Sequence, residues 1–140
     1  MALLIEKNVK VLGNIDLSQL YLRLTISYGP DGKNIMVNVD AFDSDNSYSL
    51  NPYGNKIIIN GVTQPYDFSY DRETDGSDIL AYAHNKISEY LSTDITEQVA
   101  VVDPSTGQPL VDPSTGEVIT EEVVTIPKFC EDSSISIINI

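Results

Sequence analysis

QLYLRLTISYGPDGKNIMVNVDAF, residues 19–42, decides the fold. In its first half Leu20, Leu22, Leu24, Ile26 and Tyr28 alternate with Tyr21, Arg23, Thr25 and Ser27. In its second half Ile35, Val37, Val39 and Ala41 alternate with Met36, Asn38, Asp40 and Phe42. A period of two is the mark of a half-buried strand, because successive side chains leave opposite faces of an extended backbone. Between the halves, Gly29-Pro30-Asp31-Gly32 supplies a fixed φ and a residue that tolerates positive φ, which a tight connection needs. The stretch predicts a long antiparallel hairpin with one face in a core.

Downstream, DSDNSYSLNPYGN (43–55) is polar and rich in turn formers, so a loop is expected. Asn60-Gly61, between KIII and VT, is a two-residue hairpin signal. Pro65 has no N–H to donate, which restricts the strand that follows to a sheet edge. YDFSY (66–70) resumes the alternation with Tyr66, Phe68 and Tyr70 on one side. SDILAYAHNKISEYL (77–91) changes period. Ile79, Leu80, Ala83, Ile87, Tyr90 and Leu91 form one helical stripe, with Asp75 or Ser77 as cap and Asp78 in the first turn. The expected class is α+β, mainly β: an antiparallel sheet or small sandwich with one covering helix and an extended β-hairpin arm.

The arm is read from a repetition. Asp103-Pro104-Ser105-Thr106-Gly107 recurs as Asp112-Pro113-Ser114-Thr115-Gly116. In each unit Asp accepts from backbone N–H groups two residues on, Pro presets φ, and Gly takes the left-handed conformation that closes a type I turn with a bulge. Only QPLV separates them, a strand of roughly 13 Å that cannot anchor a core. A projecting β-arm with open edges for a neighbouring chain follows from this; a tandem duplication within a surface loop is the plainer alternative. The chain therefore divides into a β core (1–96) with its helix at about 77–91, an arm (97–126), and an apolar C-terminal strand or tail (127–140). The expected contact residues are Val102, Asp103, Pro104, Gly107, Leu110, Val111, Asp112, Pro113, Gly116 and Val118 in the arm. Ile135, Ile137 and Ile138 in SISIINI join them, because that segment has high β-propensity and needs a sheet partner.

Composition narrows the function. With 21 acidic against 8 basic residues the net charge is −13, which repels phosphate backbones and anionic membranes. No stretch reaches the roughly 20 apolar residues of a bilayer span. MALLIEKNVK lacks the basic leader and apolar run of a secretory signal, so a soluble, cytosolically made chain is expected. The single cysteine, Cys130, excludes an intrachain disulfide and sits beside two acids that dull a thiolate. His84 is the only histidine and is expected to flank the helix stripe rather than act as a base. No nucleophile elbow, phosphate loop or HExxH is present. Asp71, Glu73 and Asp75 echo the start of a calcium loop, but the twelfth position is Tyr82. No catalytic, cofactor-binding or metal-ligating residue is expected, and no cofactor.

The layout of a long hairpin, YLRLTISYGPDGKNIMVNVDAF, followed by one covering helix, DILAYAHNKISEYL, with DPSTG loop extensions, resembles small virion structural proteins of tailed bacteriophages. The resemblance covers most of the chain in style and carries no diagnostic motif. It implies a non-enzymatic neck, tail or baseplate subunit, made in the host cytoplasm and resident in the virion. Its implied partners are other virion proteins and copies of itself in a ring, with no direct nucleic-acid or membrane contact. The alternative expectation is a carbohydrate- or receptor-binding β-domain, assisted by calcium at Asp71, Glu73 and Asp75.

Overall fold

The structure is a computed structural model that describes residues 1–11 and 15–139. It is mainly β and antiparallel. Two compact units divide the chain: Met1–Thr93 with Phe129–Ile140, and Asp94–Lys128. From Phe129 onward the C-terminal segment belongs to the first unit, where Ile135–Ile138 is a strand.

That unit is built on the hairpin. β4 (Leu20–Tyr28) pairs with β5 (Asn34–Phe42) from Tyr21↔Phe42 to Tyr28↔Ile35. β1 (Ala2–Ile5) adds beside β4, β9 (Ile135–Ile138) beside β1, and β6 (Pro65–Ser69) beside β5. The order is β6-β5-β4-β1-β9. Pro65 opens an edge strand opposite Asn38, where its missing N–H costs nothing. A separate small hairpin pairs β2 (Val9–Val11) with β3 (Ile15–Leu17).

The alternation sorts the two faces. Leu3, Ile5, Leu20, Leu22, Ile35, Val37, Val39 and Ala41 are buried on one face, and α2 (Ile79–Leu91) covers it with Ala83, Ile87 and Leu91. Asp78, not Asp75 or Ser77, caps α2, its carboxylate accepting from the Ala81 N–H at 3.1 Å. On the opposite face Ala2, Tyr21 and Phe42 form a second cluster beneath Tyr48. Tyr48 lies in α1 (Asp45–Leu50), a short helix within the segment expected as loop. Ser44 makes it possible by accepting from the Ser47 N–H at 3.1 Å.

Two further expectations are corrected. His84 does not flank the stripe: it is 1% exposed, while Leu80 is 50% exposed in the first turn. The His84 Nδ1 lies 2.7 Å from the Leu80 carbonyl, and Nε2 faces the Met1 backbone without a well-formed hydrogen bond. Burial, then the nearby amino terminus and Arg23, hold the ring's pKa below its ordinary value. Gly61 does take φ +78°, but the residues flanking Asn60-Gly61 form no hairpin. Side chains satisfy that backbone instead: the Tyr66 hydroxyl donates to Val62 O (2.8 Å) and Gly61 O (3.1 Å), and Thr63 Oγ1 donates to Ile59 O. Ile57 bridges to Ala41, its N–H donating to the Ala41 carbonyl.

Candidate functional site: the Asp94–Lys128 arm

The second unit begins as a hairpin stem. β7 (Ile95–Ala100) pairs with β8 (Thr120–Ile126), with a register shift between Ile95 and Thr96. At its base the Lys128 N–H donates to the Asp94 carboxylate at 2.7 Å. One face pairs Thr96 with Val124, Gln98 with Glu122 and Ala100 with Thr120. The Thr96 hydroxyl donates to Glu122 and the Thr120 hydroxyl to Gln98 across it. The other face pairs Glu97 with Val123 and Val99 with Glu121.

Beyond Ala100 the stem opens into two lobes. Val101 donates to Ile119 O, Leu110 donates to Val101 O, and Ile119 donates to Leu110 O, at 2.9, 2.8 and 2.9 Å. These three residues recur every nine positions, so the duplicated unit closes a cyclic three-way junction. Each lobe then continues for one bridge, Val102↔Pro109 and Val111↔Val118. Asp103 N–H donates to Gln108 O and Gly107 N–H to Asp103 O; Asp112 with Glu117, and Gly116 with Asp112, repeat both bonds. Gly107 and Gly116 sit at φ +71° and +75°, where a Cβ would be strained.

The aspartates hold the lobes shut. The Ser105 hydroxyl and N–H both donate to Asp103 Oδ1, at 2.7 and 2.9 Å, and Ser114 treats Asp112 the same way at 2.6 and 2.9 Å. These bonds, the hydroxyls first, draw both carboxyl pKa values below the usual range. Pro104 and Pro113 occupy the turn position whose φ they preset.

Among the described residues of the unit none is buried. Its apolar side chains therefore lie on the surface. Alternation from the stem places Val99 and Val123 on the same face as Val101 and Ile119, and the cyclic pairing sets Leu110 beside them. Val102, Val111 and Val118 lie on the other face of the lobes, each about half exposed. Acids rim this surface: seven (Asp94, Glu97, Asp103, Asp112, Glu117, Glu121, Glu122) against one basic residue, Lys128.

Val102, Asp103, Pro104, Gly107, Leu110, Val111, Asp112, Pro113, Gly116 and Val118 are thus brought together in the lobes. Ile135, Ile137 and Ile138 lie elsewhere, in β9 of the first unit. There Ile135 is buried at the core and Ile138 packs beside Tyr21 and Phe42, so SISIINI has its sheet partner in β1 of its own chain. Only Ile137 among the three is markedly exposed, at 37%. The sequence reading passed over the stem residues Val99, Ile119, Val123, Val124 and Ile126. Their signal was present in the unbroken β-branched run of EVITEEVVTI, which no facing apolar segment covers.

Among the described residues no three His, Cys, Asp or Glu side chains group as a metal site would. Asp75 accepts from the Asp71 N–H at 2.8 Å and Asp71 from the Glu73 N–H at 2.9 Å, so both carboxylates close their own turn. Cys130 is buried, and burial, only partly offset by Lys7, raises its thiol pKa.

No family model, curated protein or solved structure matches this chain.

Proposed function

We propose that the chain is a non-enzymatic assembly protein that engages neighbouring chains through the Asp94–Lys128 arm. The observation that carries this is a 35-residue unit, from Asp94 to Lys128, in which hydrogen bonds fix every turn yet no side chain is buried. An isolated two-stranded hairpin is marginal in water, so a built-in arm of this kind is stabilised by what it meets. Nine large apolar side chains of the unit are exposed, most near half of their surface. At about 1 kcal/mol each for the remaining area, covering them contributes roughly 9 kcal/mol gross. Association costs on the order of 4–15 kcal/mol, so one arm on one partner sits near balance, and repeated contacts in a closed assembly suit it better.

The setting we propose is the neck, tail or baseplate of a tailed-phage particle, where the layout resemblance points; subunits would be made in the host cytoplasm and join a ring of like copies and other virion proteins. The charge of −13 then keeps free subunits apart until contacts are made in number.

Light scattering on the purified full chain tests the proposal. Raising salt from about 50 to 500 mM screens the acidic rims and leaves apolar contact in force, so the mass-average at about 100 μM rises. A variant with Val99→Thr, Leu110→Thr and Val123→Thr stays monomeric throughout. A wild-type chain that remains monomeric at high salt, or a triple variant that associates equally well, refutes it.

A further inference from the structure

β7 is paired on one side only, with β8. Which of its backbone groups stay open follows from one bond. The Val101 N–H donates to Ile119 O, so these two residues face each other at a hydrogen-bonded position. Bonded and unbonded positions alternate along an antiparallel ladder. Val99↔Glu121 and Glu97↔Val123 are therefore bonded, whereas Ala100↔Thr120, Gln98↔Glu122 and Thr96↔Val124 are not. Thr96, Gln98 and Ala100 thus turn their N–H and C=O away from β8, and among the described residues no backbone group meets them.

The other edges carry features that discourage pairing. β6 opens with Pro65, and β2, β3 and β9 run for three or four residues. β8 skips Thr125 between its pairs Thr96↔Val124 and Ile95↔Ile126, a bulge that bends its edge, and it carries Glu121 and Glu122 side by side. β7 has no proline and no basic residue, the extra residue of the bulge lies on β8, and its one acid is Glu97. The β7 sequence is also self-complementary. About a two-fold axis through Gln98, Thr96 faces Ala100 of a second copy, Gln98 faces Gln98, and Glu97 faces Val99. The outward groups then meet as three pairs within the strand, each exchanging two bonds. An axis through Glu97 would oppose two carboxylates directly, and one through Val99 joins only two outward pairs. Gln98 itself suits the axis. Its Oε1 accepts from the Thr120 hydroxyl at 3.1 Å, while its side-chain N–H groups have no partner among the described residues. Across the axis they can donate to the side-chain oxygen of the other Gln98.

We infer that two copies of this chain join edge to edge at β7, forming a four-stranded antiparallel sheet in the order β8-β7-β7-β8. This pairing rests on the arm being the contact surface proposed above and names what meets it: a like copy related by a two-fold axis. On the face that holds Val99 and Val123, each Glu97 lies between Val123 of its own chain and Val99 of the second copy, so no acid opposes an acid. The backbone bonds replace bonds to water and fix the register. Val99, laid against the methylenes of Glu97 on both sides of the axis, adds the affinity that threonine in its place removes. The apolar faces of both arms then lie on one side of a single sheet. Seven acids against Lys128 in each arm repel, so pairing strengthens as salt screens them. An isologous contact of this kind closes on itself and leaves the apolar face open to the next partner.

Disulfide trapping on the full chain, at about 100 μM protein and about 500 mM salt with diamide as oxidant, reads the register. The native Cys130 is buried and stays in place. Gln98→Cys lies on the axis, where facing Cα atoms are about 5.5 Å apart and within disulfide reach, so it cross-links into a dimer. Glu122→Cys, on the opposite edge, stays monomeric. A mixture of Glu97→Cys and Val99→Cys gives the mixed dimer about tenfold faster than either variant alone. Gln98→Pro removes an outward N–H that β8 does not use and weakens self-association about tenfold by light scattering. NMR contacts between Glu97 and Val123 check that its stem is intact, and Ala100→Pro takes its place if they are lost. Gln98→Cys that cross-links no faster than Glu122→Cys overturns the edge pairing, as does a proline variant with an intact stem that associates like the wild type. In either case a mass-average that still rises with salt keeps the arm as a contact surface, and one that does not rise removes both readings.

Discussion

Deleting residues 102–110 removes one nine-residue unit, and the junction geometry states what should remain. Val101 would then precede Val111. In the native arm Ile119 donates to Leu110 O while Val101 donates to Ile119 O. After the deletion Val101 stands where Leu110 stood, so Ile119 can donate to Val101 O and the three-way ring collapses to an ordinary antiparallel pair. The Val111↔Val118 bridge and the second lobe are untouched. What disappears is one lobe with its bonds from Asp103, Gly107, Ser105 and Gln108, plus the Leu110-to-Val101 bond.

Those bonds are exposed and contribute about 0.5–1.5 kcal/mol each at most, while ordering each backbone residue costs about 1–2 kcal/mol. With six such bonds lost and nine residues no longer ordered, the ordering cost is the larger of the two, so the deletion should not destabilise the fold. The lobe also holds Val102 and Leu110, two of the exposed apolar contacts. At about 1 kcal/mol each, their loss weakens association by roughly 30-fold. The assay is thermal unfolding by circular dichroism beside light scattering, with cross-strand NMR contacts between Glu97 and Val123 as the check on the stem. Deleting ten residues, 102–111, is the out-of-phase control. It shifts the second lobe by one and flips its side chains to the opposite face, so stem contacts should be lost. A nine-residue deletion that abolishes the Glu97–Val123 contacts, or a ten-residue deletion that preserves them, refutes the cyclic junction.

Three other outcomes follow from the first unit. His84 titrates below 6.5 in the fold, so the unfolded chain binds the extra proton first: stability is full above about pH 6.5 and falls as pH drops toward the folded value, whereas His84→Gln flattens that part of the profile in urea titrations at stepped pH. Ile87→Ala, fully buried against the sheet, should cost about 2–5 kcal/mol and lower the midpoint of unfolding accordingly; a loss under about 1 kcal/mol would mean that α2 does not close the core. Cys130, buried and with a raised thiol pKa, should react with a thiol reagent only as fast as the chain opens, so labelling that is rapid in the native state would contradict its placement.

How much of this was legible in the sequence depends on how local its cause is. The β4–β5 pairing was readable because seventeen strand positions alternate without a break and the Gly29–Gly32 connection permits only a short turn. The lobes were readable because Asp, Pro and Gly in DPSTG act within five residues. The ring of bonds joining Val101, Leu110 and Ile119 was not, although its nine-residue period was in plain view, since the period alone does not say that three backbones meet. His84 was misjudged for a related reason. Its burial follows from what β1 and the start of the chain bring against α2, and nothing within the helix reveals that.

The two units differ in what they leave to water. In the first unit Leu3, Ile5, Leu22 and Ile35 are buried beneath α2, so its apolar side chains are already spent on its own core. In the arm, the polar groups are satisfied internally by serine, aspartate and backbone bonds, and the apolar groups are the ones left outside; a surface of that kind gains by burial and has little to say about which hydroxyl or amide it meets. Because the arm is a unit of its own, its removal leaves the buried contacts of the first unit in place.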